Sequence, residues 1–388
     1  VDMKVTVPLF DFSAKFMLLL AVLSRVLFVA LAVMIPLTSG NGDPVNPFVE
    51  VRSGDYDFYI GFVSENFSLL SVPFQFFYHG GTFDTWVTVP GSVRPGPFFP
   101  WLLNIFDYST QPMALASVYL IASSLLVFSW VLYYRAREVP LWGQLALIAF
   151  PLLLWFSITI STELPMSVAL FMFFCGALTI PRSPFWGLAF TVSAFILMLL
   201  IRPNSLALFP AMLLILFFNR NFMLKWHFTA LVMLTTTIFM YFAVYYAPYF
   251  LFVKDSDVFI TYWGLSPLQY SEGLFPNLPF LADQVISNGA LIGSKFIYSS
   301  GLRPSYSDAS IVFVLLRGIS GILILPGIFY CFYRGNWLER VLLLGFILPL
   351  LLTVGQERYL LPIAPLLLLY GGMFWKVLYL RVWRYFSL

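Results

Sequence analysis

Long apolar runs, broken by short stretches that carry Pro, Asn, Arg and Lys, recur along most of this chain. A bilayer core about 30 Å thick takes roughly 20 apolar residues per helix, with about 17–25 tolerated. On that measure ten runs predict membrane-crossing helices, at 14–37, 112–134, 141–160, 163–180, 185–201, 204–218, 227–250, 311–333, 338–354 and 358–380. The fourth to sixth are separated only by Pro181, Pro184 and Pro203. Proline breaks or kinks a helix, so shifting those boundaries turns the count into nine or eleven. The first run is too long, and its flank too poor in small residues, for a cleaved signal peptide, and it reads as an anchor. The pattern predicts an all-α polytopic membrane protein, one integral membrane domain over 1–388, with two long connecting segments at 38–111 and 251–310.

Composition strengthens this reading. Of 388 residues, 60% are hydrophobic and 10% charged, with 43 Phe, 21 Tyr and 11 Trp, and the mean hydropathy is +0.88. Soluble domains run at about 45–50% apolar and about 25% charged, which excludes a water-soluble enzyme, a disordered protein and a nucleic-acid module. The net charge of +3 reflects basic cytoplasmic loops and identifies no substrate. Cys175 and Cys331 both lie in apolar runs, so no disulfide framework or CxxC pair exists. The isolated His79 and His227 argue against a histidine-rich metal centre.

Lys and Arg concentrate in cytoplasmic loops. With the N-terminus inside, those loops hold Arg135 and Arg137, Arg182, Arg220 and Lys225, and Arg334 and Arg340, and the C-terminal end adds Lys376, Arg381 and Arg384. Only Glu138 and Glu339 oppose them. The 38–111 segment has seven acids, Asp43, Glu50, Asp55, Asp57, Glu65, Asp84 and Asp107, against Arg52 and Arg94. Both termini are therefore expected in the cytoplasm, with 38–111 and 251–310 outside. Long loops rich in Trp, Tyr and Phe point to function on the outer face. Within them, Phe58 to Phe77 and Phe98 to Phe106 read as helices lying along the membrane surface.

Ionisable groups in or beside spans are costly and mark functional candidates. Glu163, Arg202, Glu357 and Arg358 fall at outward span ends, while Asp55, Asp57 and Arg94 lie in the first outward loop. Arg25 and Arg317 lie deeper. Each residue taken singly also fits an interfacial anchor; their convergence on one face favours a site. In Ser53-Gly54-Asp55-Tyr56-Asp57-Phe58-Tyr59 the two carboxylates are two residues apart. On a helix they point about 200° apart, which leaves one as a working base rather than a shared-proton pair. A solvated acidic loop fits the same spacing. Arg94, in Val93-Arg94-Pro95-Gly96-Pro97, offers a guanidinium fork suited to phosphate, and the stretch also fits a plain structural turn. Gln356-Glu357-Arg358-Tyr359 opens the last run.

This order resembles the GT-C glycosyltransferases: a first span, an outward loop with an Asp-acid-Tyr cluster, an Arg-Pro-Gly-Pro-x-x-Pro turn, a dense bundle and a final Glu-Arg-Tyr-Leu-Leu-Pro. More narrowly it is similar to bacterial relatives of the protein mannosyltransferases and of the lipid A aminoarabinose transferase. The resemblance implies a polyprenyl-phosphate sugar donor, a lipid, glycan or protein acceptor, and an Asp base. Asp55, four residues before Tyr59, matches that base best; Tyr56 then stands where the family has a second acid, and Asp57 follows. Arg94 and Arg358 match positions that shape the site or hold the donor phosphate, with Glu357 beside them, and Glu163 and Arg202 match more weakly. No Walker or GxGxxG phosphate loop occurs, as expected for a donor whose tail lies in lipid. The two acids suit Mg²⁺ or Mn²⁺, or no metal at all. Segment 251–310, with Trp263, Tyr270, Tyr298 and Tyr306, reads as a lid or as an interfacial anchor. A bacterial inner membrane with the site facing the periplasm fits the short inner loops. Two other readings share this composition: a polymerase or ligase acting on polyprenyl-linked oligosaccharide, and a lipid or solute transporter. The Asp55 cluster leans against the first, and the lack of a visible repeat leans against the second.

Overall fold

Proline sets where several helices begin. Its missing N–H costs nothing in the first turn, and its φ already suits a helix. The computed structural model describes residues 12–34, 37–38, 44–45, 96–106, 112–158, 160–222, 225–252, 311–352 and 360–386. Its helices are α1 (Phe12–Met34), α2 (Phe98–Ile105), α3 (Pro112–Ala136), α4 (Leu141–Ile148), α5 (Pro151–Ile158), α6 (Glu163–Thr179), α7 (Pro184–Ile201), α8 (Phe209–Phe218), α9 (Lys225–Phe252), α10 (Ile311–Arg334), α11 (Trp337–Leu352) and α12 (Ala364–Phe386). Short 3₁₀ turns at Pro203–Leu208, Arg220–Phe222 and Leu361–Ile363 link some of them. A two-residue antiparallel bridge pairs Leu37–Thr38 with Pro44–Val45.

Every predicted run carries helix among the described residues. Five helices among the described residues are long and apolar enough to cross a membrane: Ser13–Leu31, Met113–Ala136, Pro184–Ile201, Trp226–Ala243 and Leu361–Trp383. The 141–160 run is broken in two, since Pro151 lacks the N–H that a continuous helix would give to Leu147. The acids and aromatics of 46–95 and the segment 253–310 lie outside the described residues, so neither the Phe58 to Phe77 surface helix nor the lid is described. The Phe98 to Phe106 stretch does form helix, burying Phe99 and Leu103 while exposing Trp101 and Ile105.

α3 is the centre of the bundle, packing against α1, α4, α5 and α6. Its Trp130 and Tyr133 meet Phe171 and Phe174 of α6 edge-on or stacked. The outward faces carry apolar side chains too, with Leu27, Ile121, Phe185 and Trp226 exposed. Helices apolar all round have no water-facing side, and a lipid surround satisfies them.

α10 and α12 pack backbone to backbone. A Cβ on Gly327 would strike the Leu367 carbonyl, and one on Gly371 would strike the Leu323 carbonyl. Pro326, inside α10, has no N–H for the Ile322 carbonyl; the indole N–H of Trp375 donates to that oxygen at 3.0 Å. These reciprocal contacts run the two helices antiparallel. Strict alternation of successive crossings runs them parallel, so the pairing of α12 is a feature that hydropathy did not anticipate.

Candidate functional site

α6 and α7 form an antiparallel hairpin that sets the start of one beside the end of the other. Near its turn, Gly176 and Gly187 let the backbones touch, since a Cβ on either would meet Thr191 or Ile180. At the open end, Ser161-Thr162-Glu163 enters α6, where the helix dipole favours the Glu163 carboxylate. α7 stops at Arg202 because Pro203 follows and excludes the helical conformation from the residue before it; Arg202 is extended, with φ −146° and ψ 140°. That conformation turns its guanidinium across the hairpin. Nε donates to Thr162 Oγ1 at 2.6 Å, and Nη2 makes a hydrogen-bonded ion pair with Glu163. The Glu163 side chain is 2% exposed and that of Arg202 12%.

Neighbouring groups fix this end of the hairpin. Tyr119 of α3 donates to the Ser161 carbonyl at 2.6 Å, and Ser205 donates to the Met198 carbonyl at 2.7 Å, closing the last turn of α7. The Oδ1 of Asn204 is buried without a hydrogen-bond partner. Gly96 sits against the Ile201 carbonyl so closely that only a residue without Cβ fits. Gly96 therefore rests on the residue before Arg202, and Arg94 lies two residues upstream of that contact in sequence.

Among the predicted site residues, the fold brings Glu163 and Arg202 together. Asp55, Asp57, Tyr59, Arg94, Glu357 and Arg358 lie outside the described residues. The chain after Arg358 enters the bundle elsewhere: Leu361–Ile363 packs on α6, and the Pro365 carbonyl accepts from Tyr134. Tyr134 is fifteen residues beyond Tyr119 on α3, about 22 Å along the helix axis. Among the described residues no three His, Cys, Asp or Glu side chains gather to hold a metal ion.

A second polar cluster escaped the sequence reading, which counted Arg137 and Glu339 as loop charges. Asn336 and Glu339 form a reciprocal cap at the start of α11, with Glu339 N–H to Asn336 Oδ1 at 2.9 Å and Asn336 N–H to Glu339 Oε2 at 2.6 Å. Glu339 is fully buried. Its carboxylate also accepts from Tyr133 of α3 at 2.7 Å and Tyr370 of α12 at 2.6 Å. Arg137 donates to Tyr370 at 3.1 Å and lies 3.9 Å from Glu339. Burial opposes the Arg137 charge, but the Tyr133, Glu339 and Tyr370 oxygens outweigh it and hold its pKa above the usual arginine value. The Asn-x-x-Glu spacing is the signal that was legible; the two tyrosines come from distant segments. This knot ties three helices together and leaves little of the carboxylate for chemistry.

Comparison with known proteins finds no matching family model, no matching curated protein and no matching solved structure.

Proposed function

We propose that the chain is a membrane glycosyltransferase that moves a sugar from a polyprenyl-phosphate donor to a hydroxyl of a lipid, glycan or protein acceptor at the outer membrane face. The observation that carries this reading is the close contact of Gly96, which follows Arg94-Pro95 in sequence, with the α7 end that holds the buried Arg202–Glu163 pair. Two segments that the resemblance puts at the site are neighbours through backbone contact. The mainly helical described residues, with helices apolar enough to cross a membrane, suit a donor whose tail stays in lipid.

In the proposed reaction Asp55 takes the acceptor hydroxyl proton. The freed oxygen attacks the anomeric carbon, the bond from that carbon to the phosphate oxygen breaks, and polyprenyl phosphate leaves with the electron pair. Arg94 stabilises the charge on the departing phosphate. Direct displacement inverts the anomeric centre. Asp57 and Tyr59 flank the base, and if Mg²⁺ or Mn²⁺ takes part, Asp55 and Asp57 are its oxygen ligands. Arg202, locked to Glu163 and Thr162, supports the turn that carries Arg94. The basic loops around Arg135, Arg182 and Arg220 face the cytoplasm in this scheme, and the bacterial inner membrane is the proposed location.

Mass spectrometry of lipid extracts tests this, with purified protein incubated with a panel of polyprenyl-phosphate sugars and crude cell-envelope acceptors. The wild type is expected to release free polyprenyl phosphate from one donor, and Asp55→Asn to release none. A parallel Asp57→Asn variant separates the two acids. Failure of the wild type on every donor with every acceptor refutes the reading.

A further inference from the structure

Arg25 lies mid-way along α1 and is completely buried. All of its hydrogen bonds run through one nitrogen. Nη1 donates to the Ile148 carbonyl at 2.9 Å, to Ser24 Oγ at 2.7 Å and, at 3.4 Å, to the Ala21 carbonyl. Every one of those acceptors is neutral. Nε and Nη2 are buried and have no hydrogen-bond partner. These two nitrogens form the edge of the guanidinium that presents parallel N–H donors, the edge that grips a carboxylate or phosphate through two oxygens.

The setting sharpens the anomaly. Ile148 ends α4, and the break before Pro151 frees carbonyls that a continuous helix would satisfy, so Nη1 acts as a cap on a broken span. That role occupies one nitrogen and anchors the group. It leaves a buried positive charge with its two-donor edge unused, an arrangement costly unless an anion supplies the missing partner. Ala149, at the break, is exposed.

We infer that Arg25 and the α4–α5 break form an oxyanion site that takes a phosphate group through Nε and Nη2. It is separate from the Arg202–Glu163 pair and stands or falls independently of glycosyl transfer.

The test follows the unfolding midpoint of the purified protein in neutral detergent by tryptophan fluorescence. Added ligands are inorganic phosphate, phosphatidic acid, and diacylglycerol of the same chains as a phosphate-free control. Wild type is expected to gain several degrees from a phosphate-bearing ligand and none from diacylglycerol. A gain from both inorganic phosphate and phosphatidic acid assigns the site to the phosphate group alone, and a gain from phosphatidic acid only assigns it to a lipid headgroup. Arg25→Lys, which keeps the charge but loses the fork, is expected to lose the gain. Arg25→Met is expected to lose it too while matching or exceeding wild type without ligand. No gain with either phosphate ligand, an equal gain with diacylglycerol, or a gain that persists in Arg25→Met overturns the inference.

Discussion

Charged side chains in this protein are divided between structural ties and chemistry by what surrounds each one. Glu163 and Arg202 satisfy each other in a buried setting, and removing one partner strands the other. Glu163→Gln is expected to cost about 3–5 kcal/mol, read from denaturant unfolding in detergent. The double variant Glu163→Leu with Arg202→Met is expected to recover most of that stability, because a buried pair often exchanges for apolar groups at little net cost. If the pair supports the Arg94 turn, the restored fold still lacks transfer activity; full activity in the double variant removes the pair from the site. Tyr370→Phe deprives the buried Glu339 of one donor and is expected to cost about 1.5–3 kcal/mol, the range for a hydrogen bond to a charged group. Its measurement is the same unfolding experiment.

Between elements, backbone contacts decide which helices meet. Gly327 and Gly371 let α10 and α12 approach until their carbonyls touch the facing chain, and Trp375 answers the carbonyl that Pro326 leaves open. In a Cys175→Ser, Cys331→Ser background, the pair Ile322→Cys and Trp375→Cys is expected to cross-link with a short bifunctional thiol reagent. A parallel arrangement of the two helices predicts no cross-link. Gly327→Ala places a methyl group on the Leu367 carbonyl and is expected to lower stability by about 1–3 kcal/mol, the usual penalty for overpacking, measured by thermal unfolding.

For the whole molecule, the distribution of charge predicts which surface faces which compartment. Trp101, exposed on α2, lies in the 38–111 segment proposed to face outward, and Glu138, exposed with φ 56°, lies in a basic loop proposed to face the cytoplasm. With the native cysteines replaced by serine, Trp101→Cys is expected to react with a membrane-impermeant thiol reagent in intact cells. Glu138→Cys is expected to react only after permeabilisation. The reverse labelling pattern inverts the proposed orientation and moves the Asp55 loop to the cytoplasm.

Hydropathy and proline placement alone determined that the chain is helical and apolar enough for a bilayer, and where most helices begin and end. Both depend on neighbours within a few turns: the length of an apolar run, and the N–H that Pro151 or Pro326 lacks. The charges at span ends were legible as candidates by the same local logic. Which of them meet was decided by tertiary structure. Glu163 joins Arg202 because a hairpin closes over the intervening residues, Glu339 gathers Tyr133 and Tyr370 from two other helices, and Arg25 reaches a carbonyl across the bundle. The antiparallel course of α12 along α10 likewise rests on glycines at matching heights. Such partnerships depend on which surfaces fit together closely, a property that a one-dimensional pattern of polar and apolar positions does not contain.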